Sequence, residues 1–278
     1  MAATTEKPAT EVAQEAAAKK RRALVTGASS GLGETFARQL AGRGYDLVLV
    51  ARRRDRLDRL AQELAESRGV EAEVIEADLS RPEGVALVEQ RLRKGDIDML
   101  VNNAGFATRG EFWALPVERE TQEIDVNVRA VARLAHTALE AMVPKKSGAI
   151  INVASVGAFQ PVPYMATYAA TKAFVLHFSE ALHEEARRHG IMVTCLCPGP
   201  VRTEFHQVAG VNEESMPVGW KTPDQVVASA LRANARGRAI AVPGGMNAMT
   251  ATVAKFAPRF LTRKLAGRMF RDAGSAQS

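Results

Sequence analysis

Cysteine is nearly absent from this chain: Cys195 and Cys197 are the two in 278 residues. They lie two apart in the apolar run IMVTCLC. Alternate residues of a strand share one face, so the pair reads as buried thiols, not a disulfide framework. Thiols of that kind fit a reducing compartment, the cytoplasm. No uninterrupted apolar stretch approaches the roughly 18 residues of a membrane-crossing helix. The opening segment MAATTEKPATEVAQEAAAKKRR lacks the apolar core of a secretory signal, and Glu6, Glu11 and Glu15 are foreign to an acid-poor transit peptide. Residues 1–20 are expected to be a flexible lead-in. The five histidines, His136, His177, His183, His189 and His206, show no cluster with cysteine or aspartate at ligand spacing. No metal is expected, and the histidines read as surface or helix-face residues.

Strong charge is also missing from most of the chain. The formal net charge is +6, yet residues 246–278 hold Lys255, Arg259, Arg263, Lys264, Arg268 and Arg271 against Asp272 alone. The remainder is close to balance. That argues against nucleic-acid binding, where the basic face belongs to the main domain.

What the chain has is alternation. Apolar runs at 23–26, 46–51, 72–77, 98–102, 148–155, 191–197 and 239–242 read as strands. Several are nearly continuous in Val, Ile and Leu, as strands covered on both faces are. Helical patterns fill 31–43, 53–68, 82–94, 115–143, 164–189 and 222–236. Together they predict an α/β fold with a doubly wound parallel sheet of about seven strands, in a single Rossmann-type domain over 21–245. Residues 203–221, with Gly210, Pro217 and Gly219, show little periodicity and read as a loop or short-helix excursion where a substrate lid could sit.

The segment ALVTGASSGLG (23–33) ends a strand and opens a helix. Glycines at 27, 31 and 33 allow a tight turn whose backbone N–H groups approach a pyrophosphate, with the helix N-terminus adding partial positive charge. After the second strand a carboxylate would bind a ribose 2′-hydroxyl; here stand Arg52, Arg53 and Arg54. Guanidinium groups suit a 2′-phosphate, so NADP is expected over NAD, with Arg52 foremost and the Ser29 and Ser30 hydroxyls assisting. Asp78 reads equally well as an N-cap for the helix at 82. Asn102-Asn103-Ala104-Gly105 closes the fourth strand with side chains able to tie neighbouring backbone together and with room for a ligand.

In YMATYAATKAFVL (164–176), read as helical, Tyr168 and Lys172 are four apart and share a face. A cation beside a phenol stabilises the phenolate and makes the tyrosine usable as an acid or base. Thirteen residues earlier Ser155 ends a strand at the edge where α/β sheets bind ligands, its hydroxyl able to meet a carbonyl oxygen. Asn127 stands in EIDVNVRA where an apolar residue is the default, and its polar group needs partners. A water bridging towards Lys172 would supply one.

With these motifs in this order, residues 22–245 resemble the short-chain dehydrogenase/reductase family, of the NADP-preferring type. The resemblance implies direct hydride transfer between nicotinamide and a carbonyl or secondary alcohol. Tyr168 would exchange the proton, Lys172 would lower the tyrosine pKa and bond the nicotinamide ribose, Ser155 would hold the substrate oxygen, and Asn127 would anchor a relay water. It also implies a cofactor lined by Gly27, Ser29, Ser30, Gly31, Leu32 and Gly33, by Arg52 and Arg53, and by Asp78 and Leu79 near the adenine. Asn103, Ala104 and Gly105, Tyr168 and Lys172, and the turn Pro198, Gly199, Val201 and Thr203 would complete the lining.

Phe106, Phe159, Val162, Met216 and Trp220 are apolar candidates for a substrate pocket, which favours a hydrophobic alcohol or ketone; Arg109 is the one candidate for a charged group. A 3-oxoacyl thioester (acyl-carrier-protein or CoA) reductase is the alternative, and an NADP-sensing binding protein on the same fold the non-enzymatic one. Beyond 245, Phe256, Phe260, Leu261, Leu265 and Phe270 recur near helical spacing among cations, interrupted by Pro258. This basic amphipathic extension, 246–278, is expected to pack on its own domain or on a neighbouring subunit of a homodimer or homotetramer, ahead of peripheral membrane contact.

Overall fold

The computed structural model describes residues 20–203, 220–249 and 258–272. The lead-in, Met216, Gly210, Pro217, Gly219, His206 and Phe256 lie outside the described residues, as do the side chains of Leu261 and Phe270.

The strands are β1 (Arg22–Thr26), β2 (Asp46–Ala51), β3 (Ala72–Glu76), β4 (Met99–Asn102), β5 (Gly148–Val153), β6 (Ile191–Leu196) and β7 (Ile240–Ala241). They pair in parallel in the order β3-β2-β1-β4-β5-β6-β7. The helices are α1 (Gly31–Ala41), α2 (Arg54–Arg68), α3 (Pro82–Leu92), α4 (Val117–Ile124), α5 (Val131–Met142), α6 (Ala166–Arg187), α7 (Pro223–Ala235) and α8 (Arg259–Asp272).

The run of apolar residues in each strand follows from the pleat. Ala23 and Val25 of β1, with Leu47 and Leu49 of β2, face α1, α2 and α7, where Phe36, Leu40, Leu57 and Val227 meet them. Leu24, Val48 and Val50 point the other way, onto Val88 and Leu92 of α3 and Leu134 and Met142 of α5. Neither face of the sheet can be polar, so neither alternates. Each fully buried Leu or Phe contributes about 2 kcal/mol of transfer free energy. The strand order reverses direction between β1 and β4, so the loops after these two strands diverge and leave a crevice at their C-terminal ends.

Several boundaries differ from the sequence-based expectation. β5 stops at Val153, and Ser155 is instead the N-cap of a 3-10 turn, Val156–Phe159, its Oγ accepting from the Gly157 N–H at 3.1 Å. Tyr164 sits at φ 67°, so α6 begins only at Ala166. Asp78 does not cap α3: its Oδ1 accepts from Ser80 N (3.0 Å) and Ser80 Oγ (2.8 Å), and Arg81 is the N-cap. The long helix expected over 115–143 contains a π-helical stretch, Asp125–Ala130, centred on Asn127. His183 is buried, its Nδ1 2.7 Å from the Val193 carbonyl oxygen. Pro258 immediately precedes α8, where its lack of an N–H does no harm.

Candidate active site

Thr26 at the end of β1 joins two sides of the crevice. Its Oγ1 accepts from Asn103 N and Ala104 N, both at 3.0 Å, and Asn103 Nδ2 donates back to Thr26 O at 2.9 Å. The turn above it leaves no room for side chains. Gly27 and Gly31 have φ of 67° and 57°, a region open chiefly to glycine. A Cβ on Gly33 would overlap the Gly27 carbonyl and lie 2.6 Å from Asn103 Nδ2. The result is a bare backbone cradle at the N-terminus of α1, which fits a pyrophosphate. Thr203 closes its far side, packed 3.3 Å from where a Cβ of Gly31 would stand. Val201, buried, bridges to Lys221 beside Trp220. Pro198 O accepts from Val156 N, and Gly199 lies against Asn247. Residues 198–203 of the loop after β6 are thereby held at the crevice. Leu32 packs inward from α1, and Leu79 is buried behind Asp78.

The guanidinium of Arg53 reaches back to the turn, donating to Ser29 Oγ (3.2 Å) and Ser30 Oγ (2.7 Å). Arg52 lines a cavity of about 620 Å³ with Ala77 and Asp78; against the opposing effect of burial, the two Ser80 hydrogen bonds, with the Arg52 and Arg81 charges adding less, hold the Asp78 carboxyl below its usual range. Two cations and two hydroxyls therefore surround the end of β2 with no carboxylate on that strand end, a donor set that fits a phosphate.

The second half of the site comes from the end of β5, the π-helical stretch Asp125–Ala130 and α6. Tyr168 is in hydrogen-bond contact with Ser155. Lys172, buried, donates from Nζ to Val153 O at 2.9 Å, with the ammonium 5.7 Å from the Tyr168 ring centroid. Burial pushes the tyrosine up to about 12, against the lowering influence of Ser155, and pushes Lys172 down to about 8. With the lysine ammonium turned to the Val153 carbonyl, desolvation dominates, and the tyrosine is raised where its spacing from Lys172 suggested a lowering.

Asn127 is fully buried, and its amide has three hydrogen bonds to protein partners. Its Nδ2 donates to Phe106 O (3.0 Å) and Thr171 Oγ1 (3.1 Å), and its Oδ1 accepts from Phe106 N (3.2 Å). Gly105 is required here too: a Cβ would fall 2.8 Å from Asn127 Oδ1 and 3.3 Å from Lys172 Nζ. Of the apolar candidates, Val162 packs with Ala107, Met165 and Ala169 against Tyr168. Phe159 packs on a neighbouring cluster with Ala158. Phe106 lies under the Arg119 guanidinium at 4.6 Å, and burial lowers the Arg109 pKa.

Sequence reasoning missed four members of this region. Thr26 and Asn152 were read only as strand residues. Asn152 Oδ1 accepts from Asn102 Nδ2 (2.9 Å) and its Nδ2 donates to Ser179 Oγ (3.0 Å), a buried brace between β4, β5 and α6. Glu120 and Glu123 are buried acids, the latter bound to Thr108. The signal for them was present: Glu120, Glu123 and Asn127 fall at i, i+3 and i+7, one helical face. Among the described residues there is no cluster able to hold a metal ion, and no helix is long and apolar enough to cross a membrane.

A family model described as short chain dehydrogenase matches residues 21–214. The very-long-chain 3-oxoacyl-CoA reductase of Anas platyrhynchos is 34% identical over 195 residues, which are 67% of this chain and 62% of that one. The chain spans about 57 to 62% of the length of such curated relatives. Among solved structures, a short-chain dehydrogenase from Sphingobium yanoikuyae in complex with NADPH superposes with a TM-score of 0.78 at 38% identity, covering 86% of this chain and 97% of that one. The bulky-bulky ketone specific alcohol dehydrogenase from Comamonas testosteroni gives 0.74 at 35% identity, covering 81% and 87%.

Proposed function

The chain belongs to the short-chain dehydrogenase family, and from that premise we propose that it is an NADP(H)-dependent oxidoreductase acting on a hydrophobic ketone or secondary alcohol. The observation that carries this reading is the convergence of Ser155, Tyr168, Lys172 and Asn127 at the C-terminal edge of the sheet, beside the glycine cradle. When bound, the dinucleotide supplies or accepts the hydride. The protein's part is the proton. Ser155 holds the substrate oxygen, and Tyr168, whose hydroxyl stays protonated at neutral pH, donates to that oxygen in reduction. Lys172 stands behind the phenol as the cation that stabilises the phenolate left behind. Asn127 fixes the Phe106 backbone at the start of the loop after β4.

NADP over NAD is supported by Arg52, Arg53, Ser29 and Ser30 at the end of β2. The Sphingobium relative is described with NADPH. The apolar cluster of Ala107, Val162, Met165 and Ala169 supports a hydrophobic substrate, and the Comamonas relative is named for bulky ketones. A 3-oxoacyl thioester reductase is the second reading, favoured by the name of the Anas relative. Buried free thiols at Cys195 and Cys197 support a cytoplasmic location, and Phe112 and Trp113, 57% and 80% exposed, support a homo-oligomer.

NADPH oxidation against ketone, aldehyde, steroid and 3-oxoacyl panels tests the reading. Turnover on a hydrophobic ketone is expected, with Tyr168→Phe losing at least about a thousandfold in kcat while NADPH binding is kept. Tyr168→Phe with near wild-type activity overturns the mechanism.

A further inference from the structure

Two acids lie where packing alone would call for apolar side chains. Glu120 is 4% exposed and Glu123 0%. Each uses one carboxylate oxygen. Glu123 Oε2 accepts from Thr108 N (2.9 Å) and Thr108 Oγ1 (2.7 Å), and Glu120 Oε2 accepts from Thr167 Oγ1. The other oxygen of each, Oε1, is buried with no hydrogen-bond partner among the described residues. Burying a carboxyl that is only half satisfied costs free energy. Holding Thr108 in place needs one acceptor, not two acids.

Their position says more. Glu123 is one turn before Asn127, and the two side chains grip the ends of one short loop: Asn127 at Phe106, Glu123 at Thr108. At the start of that loop, a Cβ on Gly105 would lie 2.8 Å from Asn127 Oδ1 and 3.3 Å from Lys172 Nζ. Thr167, which binds Glu120, precedes Tyr168 in α6. Glu123 is hydrogen-bonded to Thr108 in the loop, and its charge acts through space with Glu120 on its own helix and with Lys172 and Tyr168 of α6. Cys195 of β6 and Cys197 just beyond it also act through space on Lys172, and Cys197 on Tyr168. Lys172 is the one cation in this set.

We propose that Glu123, backed by Glu120, is a positioning carboxylate that serves as counter-charge to the Lys172–Tyr168 pair, keeping the lysine charged and the phenol protonated so that the site is set to protonate a carbonyl oxygen. The proposal rests on the assignment of Tyr168 and Lys172 above. Its chemistry is electrostatic and moves no bond. An ionised Glu123 stabilises the ammonium and disfavours the phenolate. Glu120 disfavours that ionisation, and together with burial lifts Glu123 to about 7. The counter-charge is therefore present above that pH and withdrawn below it.

The test needs no turnover, so it stands apart from any failure to find a substrate. Protein labelled with 13C at lysine Cε is titrated by NMR, with Lys172→Met identifying the resonance. In Glu123→Gln the Lys172 step is expected at a pH lower by about 1, a roughly tenfold easier loss of its proton, with NADPH binding retained. A step that stays where it is in the wild type overturns the proposal and leaves Glu123 as a clamp for the Thr108 loop. Should that variant not fold, Glu120→Gln keeps an acceptor for Thr167. The Glu123 carboxyl, followed by 13Cδ, is then expected to ionise at lower pH; an unmoved step refutes the coupling of the two acids.

Discussion

Burial holds the Lys172 ammonium at about 8, and that value has a direction. A buried lysine whose affinity for the proton is depressed stays charged below that pH and loses its charge as pH rises through it. NADPH-driven reduction is accordingly expected to be level below about pH 8 and to decline above it, read as kcat/KM for NADPH, which reports the free enzyme. A profile that climbs through this range contradicts the assignment. At the other end of the site, Arg52→Ala is expected to weaken NADPH by about tenfold or more and NADH little, since only the former carries the 2′-phosphate; equal losses for the two cofactors, measured by fluorescence titration, would remove Arg52 from that role. Tyr168, Lys172, Ser155 and Asn127 could be picked out as candidates only as a set, with the glycine-rich turn and Asn102–Gly105 upstream, since the Tyr168–Lys172 interval by itself is an ordinary helical pair. Their protonation could not, because it depends on Val153 O, Glu123 and the depth of burial, none of which is local in sequence.

Among the elements, the turn between β1 and α1 has the least tolerance. Gly33→Ala places a methyl group on the Gly27 carbonyl, backbone that cannot yield without breaking the Thr26–Asn103 bonds. Loss of dinucleotide binding is expected with a fall in stability of about 1–3 kcal/mol, checked by denaturant unfolding and NADPH titration; an alanine variant that binds as wild type shows the cradle to be roomier than its geometry. All seven strands and the helices around them could be read from hydrophobic periodicity. The π-helical stretch at Asp125–Ala130 and the 3-10 turn at Val156–Phe159 could not. Both are deviations by one residue in hydrogen-bond register, and both are held by tertiary partners: Phe106 and Thr171 for the first, the Pro198 carbonyl for the second.

Across the whole molecule, the described residues of the C-terminal extension meet the body near Asn247 and along α8. Asn247 packs on Gly199, and in α8 Ala266 is buried while Gly267 rests on Pro163. Phe260 and Leu265, with Arg263, Lys264 and Arg268, face outward. Ending the chain at Gly245 is expected to lower Tm by several degrees, about 1–2 kcal/mol of lost packing. It is expected to leave association with anionic liposomes as weak as that of the full chain. Strong liposome binding that disappears on truncation would instead favour the membrane surface as the partner of this helix.

By itself the sequence determined the α/β class, the order of strands and helices and the glycine-rich turn, and it nominated the residues around the proton, because each is written in local spacing: period two, period 3.6, or a fixed interval along one helix. Tertiary structure alone decided what those residues experience. Thr26 becomes the brace of the NNAG loop, Asn127 spends its amide on Phe106 and Thr171, and two glutamates are shut in behind Lys172. These outcomes arise from contacts between segments far apart in the chain, and from the removal of water around groups that would be ordinary acids and bases on the surface.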